Sequence, residues 1–464
     1  MLGRFGKPPV APPHANDALP VLATAQPAPA SAQPVDGDSE QRSVLIDEKV
    51  KIHGKIIEEF NLASLEKMSR EELTRGIAHF VSDHIHDARI PLNQKELDAF
   101  IEEIVDEMIG LGPIEPLLKD GTVADILING HLSVYVERFG MLEPTSVRFK
   151  DEAHLLRVIG KIVAAVGRRV DESSPMVDAR LSDGSRINVA VRPVALDGPL
   201  VSIRKFSKQA YSMSRLVDVG SVHPSIVEVL KAAVQGRISI VVSGGTGSGK
   251  TTMLNALSAF IPNTERLITI EDSAELQIQQ PHVARMETRP ANPEGKGEIR
   301  QRELLRNALR MRPDRIIIGE CRGEEAFDML QAMNTGHEGS MTTIHANTPR
   351  DAVRRLEQMI GMASTTMSQV SIRQQISAAI QVFVQLQRLS DGKRRLVSLT
   401  EVTGMEGEVI QMQEIFRFVR EGVDANGQII GSFRATGVRP SFLTELKTMG
   451  VEIPRSYFNP GQPL

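Results

Sequence analysis

The hydrophobic positions fall into three regimes along the chain. From Ser43 to about Leu118 they recur at helical spacing: Ile46, Val50, Ile57 and Phe60, then Leu73, Ile77, Phe80 and Val81. A third stripe runs Leu97, Phe100, Ile101, Ile104, Val105, Met108. Ser69 with Glu72, and Asn93 with Glu96, have capping-box spacing, in which side chains satisfy the free N–H groups of a helix start. Gly110-Leu111-Gly112-Pro113 ends the last helix, because two glycines and a proline do not continue one. Residues 43–118 therefore read as an N-terminal helical bundle, or as a module that binds a partner.

The second regime, residues 119–212, alternates. Ala124–Ile128 and Leu132–Val136 flank Asn129-Gly130, which predicts a type I′ hairpin whose two central residues need φ > 0. A helix from His154 to Val166 follows. Ala179–Leu181 and Arg186–Val191 then flank Asp183-Gly184 as a second hairpin, and Leu200–Arg204 is a further strand. These are the parts of an α+β domain. From 213 to 464 the rhythm becomes strand, glycine turn and helix, the pattern of a parallel α/β core.

Composition narrows the picture. Residues 1–42 are rich in Ala and Pro and are expected to be a disordered tail. A net charge of −4 argues against a basic nucleic-acid stripe, so no direct nucleic-acid contact is expected. Cys321 is the only cysteine, which excludes an intrachain disulfide and a cysteine-built zinc site and fits a reducing cytosol. No apolar run is long enough for a membrane span, so a cytoplasmic protein is expected, held at any membrane by something else.

The chemistry lies in the third regime. An apolar strand, Ile238–Val242, runs into Gly244-Gly245-Thr246-Gly247-Ser248-Gly249-Lys250-Thr251-Thr252, and a helix follows. This matches G-x-x-x-x-G-K-[ST] in the strand–loop–helix context that the motif requires. Backbone N–H groups of such a loop curl around phosphate oxygens, and the helix N-terminus adds favourable partial charge. Lys250 is expected to reach the β- and γ-phosphates of ATP, and Thr251 to ligate Mg²⁺. Arg315–Glu320 is an apolar strand ending in a carboxylate, which places Glu320 at the ligand-binding edge of the sheet, near the metal, with a bridging water possible between them. Leu267–Asp272 is a second such strand, with Glu275 just after. Among these acids Glu271 is favoured over Asp272 and Glu275 to orient or deprotonate the attacking water.

Taken together, four boxes resemble the superfamily of type II and type IV secretion ATPases and pilus motors. They are the phosphate loop, the acidic box Ile270–Leu276, the box Ile318-Gly319-Glu320-Cys321-Arg322-Gly323, and the histidine box Gly336–Asn347. Within it the chain looks most like the CpaF-type ATPases of tight-adherence (Tad, or Flp) pili. Asp125–Gly130, Leu181–Arg186 and Gly431–Pro440 carry that likeness. The four-cysteine zinc module of many type II assembly ATPases is missing.

The resemblance implies a RecA-like P-loop ATPase domain (213–464) preceded by a PAS-like domain (119–212), in a homo-hexamer working on inner-membrane platform proteins of a pilus. It also implies Arg186 and Arg204, with Arg180 as a weaker candidate, as arginines approaching the γ-phosphate, and His345 as the residue sensing that region. On residue type alone, the arginines read as strand-edge residues and His337 and His345 as hydrogen-bonded structural histidines. Arg300, Arg302, Arg306, Arg310 and Arg312 read as a solvated basic face, or as a source of Arg310 or Arg312 for a neighbouring subunit. A type IV secretion ATPase moving protein or DNA, and a nucleotide-binding scaffold without turnover, stay open as alternatives.

Overall fold

The computed structural model describes residues 52, 70–181, 183–206, 211–291, 296–363, 366–448, 450–460 and 464. The expected tail, the helical positions from Ile46 to Phe60, Ser69 and the side chain of Met108 lie outside the described residues. The chain divides into two compact units, Met1–Val105 and Asp106–Leu464.

In the first unit, the helix Arg70–Asp87 buries Leu73, Ile77, Val81 and Ile85, spaced to share one face. The helix Gln94–Ile109, which begins in this unit and runs past its boundary, buries Phe100, Ile101, Ile104 and Val105. Its start is the expected capping box: Glu96 N donates to Asn93 Oδ1 at 3.0 Å, and Asn93 N donates to Glu96 Oε2 at 2.8 Å.

The second unit contains two sheets. The smaller is antiparallel, in the order β3-β2-β1-β6-β5-β4. Its strands are β1 Val123–Asn129, β2 Ser133–Arg138, β3 Met141–Pro144, β4 Met176–Arg180, β5 Arg186–Ala190 and β6 Leu200–Arg204. Ile126, Val134, Ile187, Val201 and Ile203 fill one face against Leu155, Ile159 and Ile162 of the helix Glu152–Ala165. Asp151 caps that helix by accepting from His154 N at 2.7 Å.

One turn differs from expectation. Asn129 stays in the ladder opposite Ser133, leaving a three-residue loop in which only Gly130 has positive φ. The two-residue turn lies one hairpin later. Arg138 pairs with Met141 around Phe139 (φ 49°) and Gly140 (φ 86°), the positive-φ pair that a type I′ turn needs.

The larger sheet has nine strands in the order β15-β14-β13-β12-β7-β11-β10-β8-β9. The six strands from β12 to β9 are parallel: β7 Ile240–Gly244, β8 Leu267–Glu271, β9 Val283–Glu287, β10 Arg315–Ile318, β11 Met341–His345 and β12 Val382–Arg388. The five from β12 to β8 are buried nearly along their whole length, with Ile and Val the commonest residues, while the edge strand β9 is half exposed. The rest is an antiparallel meander, β13 Arg394–Glu406, β14 Val409–Val423 and β15 Ile429–Ala435. The strand–turn–helix rhythm expected through 464 therefore stops at β12, and the C-terminal strands extend the sheet by hairpins.

Candidate active site

Parallel strands β7, β11 and β10 lie side by side and point the same way, so Gly244, His345 and the residues after Ile318 emerge along one edge. The phosphate loop leaves β7 there. A Cβ on Gly244 would sit 2.6 Å from Leu386 O and 2.4 Å from Ser248 Oγ, so only glycine fits between the loop and β12. Gly249, with φ 92°, caps the helix Lys250–Ser258, and a side chain at that angle would be strained. The sequence motif thus folds as the anion cradle its residues require.

Lys250 is buried beneath the loop. Its Nζ donates to Gly245 O at 2.9 Å and lies 3.3 Å from His345 Nε2. That same imidazole nitrogen is 3.1 Å from Glu320 Oε1. When Nε2 carries a proton it donates to Glu320; bare, it accepts from Lys250. Burial lowers the Lys250 pKa below its ordinary value, Glu320 pulls it back up, and Arg322 and Arg204 push it down. Burial, then the charge of Lys250, lowers the His345 pKa as well.

Arg322, for which the sequence box implies no role, pairs with acids at this edge. Its Nη2 donates to Glu320 Oε2 at 2.7 Å, and its Nη1 lies 3.4 Å from Asp272. Glu271 is buried at the end of β8. Its Oε2 accepts from Glu275 N at 2.7 Å and Leu276 N at 2.8 Å, while Oε1 has no partner among the described residues. Burial raises its pKa above the ordinary value, and the two N–H groups work against that shift.

The arginines of the small sheet share one rung. The register pairs Arg180 with Arg186, Arg186 with Arg204, Arg204 with Asp125, and Asp125 with Glu137. Paired residues of an antiparallel sheet project from the same face, so all five side chains leave the face opposite the small core. Arg186 Nη1 donates to Glu275 Oε1 at 2.7 Å, and Arg180 reaches Glu287 at 2.8 Å and Ala274 O at 2.7 Å. Arg204 lies 3.3 Å from Asp125. Arg186 and Arg204 line a pocket of about 200 Å³ together with Phe206, Tyr211, Thr251 and Thr252. A wider cleft of about 1040 Å³ continues past Arg180, Asp272 and Arg322.

Other residues singled out on sequence are placed elsewhere. His337 precedes β11, at the sheet edge opposite His345, with Nδ1 3.1 Å from Pro313 O. On the helix Gln301–Ala308, Arg302 pairs with Glu324 and Asp328, and Arg306 pairs with Asp328. Arg310 and Arg312 lie beyond that helix and are exposed.

Among the described residues, no group of three or more His, Cys, Asp or Glu side chains could hold a metal by itself. A P-loop Mg²⁺ needs no such cage, since it takes a hydroxyl, phosphate oxygens and waters. Thr251, on the helix start beside Lys250, supplies such a hydroxyl, and Glu320, held by His345 and Arg322, supplies a carboxylate at the same sheet edge. No helix among the described residues is long and apolar enough to cross a membrane.

Comparison with known proteins adds relatives. A protein of Mycobacterium tuberculosis (strain H37Rv), provisionally named for conjugal transfer, is 36% identical over 324 residues, 68% of this chain and 92% of its own length. The conjugal transfer protein TrbB of Rhizobium radiobacter is 32% identical over 293 residues, 62% of this chain and 86% of its own. The type IV secretion system protein VirB11 of Bartonella henselae is 31% identical over 341 residues, 64% of this chain and 93% of its own. The solved VirB11 ATPase of the Brucella suis type IV secretion system, in complex with sulphate, is 29% identical over 62% of this chain and 94% of that one. Its TM-score of 0.34 is too low for the superposition to add to the sequence relationship. The model of the Type II/IV secretion system protein family matches residues 107–424, and the chain belongs to that family of secretion ATPases.

Proposed function

We propose that this chain is a Mg²⁺-dependent ATPase, working as a cytoplasmic hexamer that powers assembly of a tight-adherence type IV pilus through inner-membrane platform proteins. The observation that carries the chemical part is the meeting of Lys250, His345 and Glu320 at one sheet edge, with Arg186 and Arg204 lining a pocket beside Thr251 and Thr252. The triphosphate of ATP lies in the loop from Gly244 to Thr252, and its oxygens replace Gly245 O and His345 as partners of Lys250. Mg²⁺, held at Thr251 and through Glu320, offsets charge on the phosphate oxygens when bound. Arg186 and Arg204 approach from the small sheet and spread charge off the transferring phosphoryl group. Glu271 Oε1, the carboxylate oxygen without a partner among the described residues, orients the attacking water or takes its proton, and a raised pKa suits that task. His345, between Lys250 and Glu320, senses whether the γ-phosphate is present.

The domain organisation goes with this reading. A PAS-like domain at 119–212 carries the arginine rung, a RecA-like domain at 213–464 carries the phosphate loop, and hydrolysis changes how the one packs on the other. The likeness of Asp125–Gly130, Leu181–Arg186 and Gly431–Pro440 to the tight-adherence branch supports the pilus assignment. The names of the relatives favour a second reading, a type IV secretion ATPase that moves protein or DNA.

The deciding experiment measures ATP hydrolysis with and without Mg²⁺, and mass in solution, for the protein and its Lys250→Ala variant. Hydrolysis by a hexamer, lost in a folded variant, is the expected result. ATP binding without turnover, even with platform membranes added, would leave a scaffold instead. In the host, a Lys250→Ala strain that loses its tight-adherence pili but keeps conjugal transfer separates the pilus motor from the second reading.

A further inference from the structure

One ionic cluster outside the nucleotide groups joins three segments distant in sequence. β12 and β13 are closed by the pair Arg388 and Arg394. Leu389 N donates to Lys393 O at 2.8 Å across the hairpin tip, and Asp391 accepts from Lys393 N and Ile429 N, each at 3.0 Å. Both arginines are therefore mounted on a braced turn. Arg394 Nε donates to Gly247 O, at the tip of the phosphate loop, at 2.8 Å.

Both guanidinium groups also face Glu137 Oε1, Arg388 at 3.8 Å and Arg394 at 3.7 Å. In the β2–β3 turn, a Cβ on Gly140 would lie 2.8 Å from Arg388 Nη2, so that glycine leaves the space Arg388 fills. Glu137 itself stands at one end of the rung that carries Asp125, Arg204, Arg186 and Arg180.

Two consequences follow from this geometry. The C=O and following N–H of a trans peptide point in opposite directions. Fixing Gly247 O on Arg394 therefore turns Ser248 N–H into the loop, where it now reaches Gly245 O at 3.4 Å. The same two arginines hold Glu137, and with it the rung from which Arg186 and Arg204 approach. We propose that Glu137 is a positioning residue that registers both halves of the site, setting the tip of the phosphate loop through Arg394 and Arg388 and the rung arginines through its own strand.

The inference rests on the reading of this site as an ATPase, and its test is chosen to separate the two. Glu137→Gln keeps the size and removes the charge. It is expected to lower kcat about three- to tenfold while KM for ATP moves less than about twofold, a coupling of the size seen between contacting residues. Glu137→Asp should recover most of that loss. Glu137→Gln added to Arg394→Gln should cost little beyond Arg394→Gln alone.

Hydrogen exchange gives a second readout that needs no turnover. In Glu137→Gln, amides at 247–249 and 200–204 should exchange faster, while 267–271 and 315–318 keep their wild-type rates. Unchanged kcat with unchanged exchange, or single-variant effects that multiply in the double variant, overturns the proposal. If the wild-type protein hydrolyses no ATP, the ATPase reading fails, and exchange alone then decides the role of Glu137.

Discussion

Strand β10 has an ionic group at each end, and the two are built in opposite ways. At its start Arg315 is fully buried, with two bonds to Glu265 at 2.6 and 3.0 Å and one to Val234 O at 2.7 Å. Past its end, Glu320 is held by Arg322 and His345, whose side chains are 53% and 34% exposed. The first group is bonded through every nitrogen and closed to solvent, so it has nothing to offer a ligand. The second consists of contacts that water already competes with, and a triphosphate can replace them. On the proposed reading, an ion pair at one end of the strand serves folding and one at the other end serves exchangeable binding.

The largest effect tests the closed end. Arg315→Met leaves Glu265 buried with Arg237 near it, at 3.5 Å, and should cost about 3 kcal/mol of stability, read as a lower melting temperature. At the open end, Lys250→Ala should cut hydrolysis by about 10²- to 10³-fold, the loss of a charge-stabilising donor. Its melting temperature without nucleotide should match wild type, and the stabilisation that ATP gives wild type should vanish. If Lys250→Ala melts as early as Arg315→Met, the two ends do not differ in kind.

Arg186→Gln and Arg204→Gln should each lower kcat roughly 10- to 100-fold, the loss of one hydrogen bond to a charged group. A change in melting temperature with kcat intact would assign them to the closed class instead.

The smallest effect sharpens the case of Glu271, which lies at the open end yet is buried. Because burial raises its folded pKa above the ordinary 4.5, the folded protein holds that proton more tightly than the unfolded chain does. Stability from this group is full below pH 4.5 and is lost as pH rises through the folded value. Glu271→Gln should remove that step and be at least as stable as wild type at neutral pH, as denaturant titrations at several pH values would reveal. Hydrolysis should fall in the same variant if Glu271 handles the water.

Much of this site is legible in the sequence because its parts are local. The phosphate loop is one uninterrupted motif between a strand and a helix. Glu320 and Glu271 each follow an apolar strand, so their edge of the sheet could be derived from chain direction alone. What sequence could not supply depends on pairing between remote strands. Arg394 reaches Gly247 because its partner strand β12 lies beside β7, and nothing local to residue 394 encodes that neighbour. Glu137 and Asp125 join the arginine rung through register alone.

The turn at Phe139-Gly140 is hidden in the sequence for a different reason. Phenylalanine at positive φ runs against its own preference, so propensity points to Asn129-Gly130 instead. The C-terminal meander had a usable signal in the buried alternation of Phe416 and Phe418 on β14, which the glycine turns before it concealed.

The arginine rung has one more consequence. Neighbouring strands are spaced about 4.8 Å apart by their backbone hydrogen bonds, so the five charges from Glu137 to Arg180 stand like teeth on a comb. No tooth can be advanced alone without breaking the ladder, and a slip of one residue would turn a strand's tooth to the far side. What remains is displacement of the whole comb, in which Arg186 and Arg204, at the pocket beside Thr251, move only together with Arg180, Asp125 and Glu137.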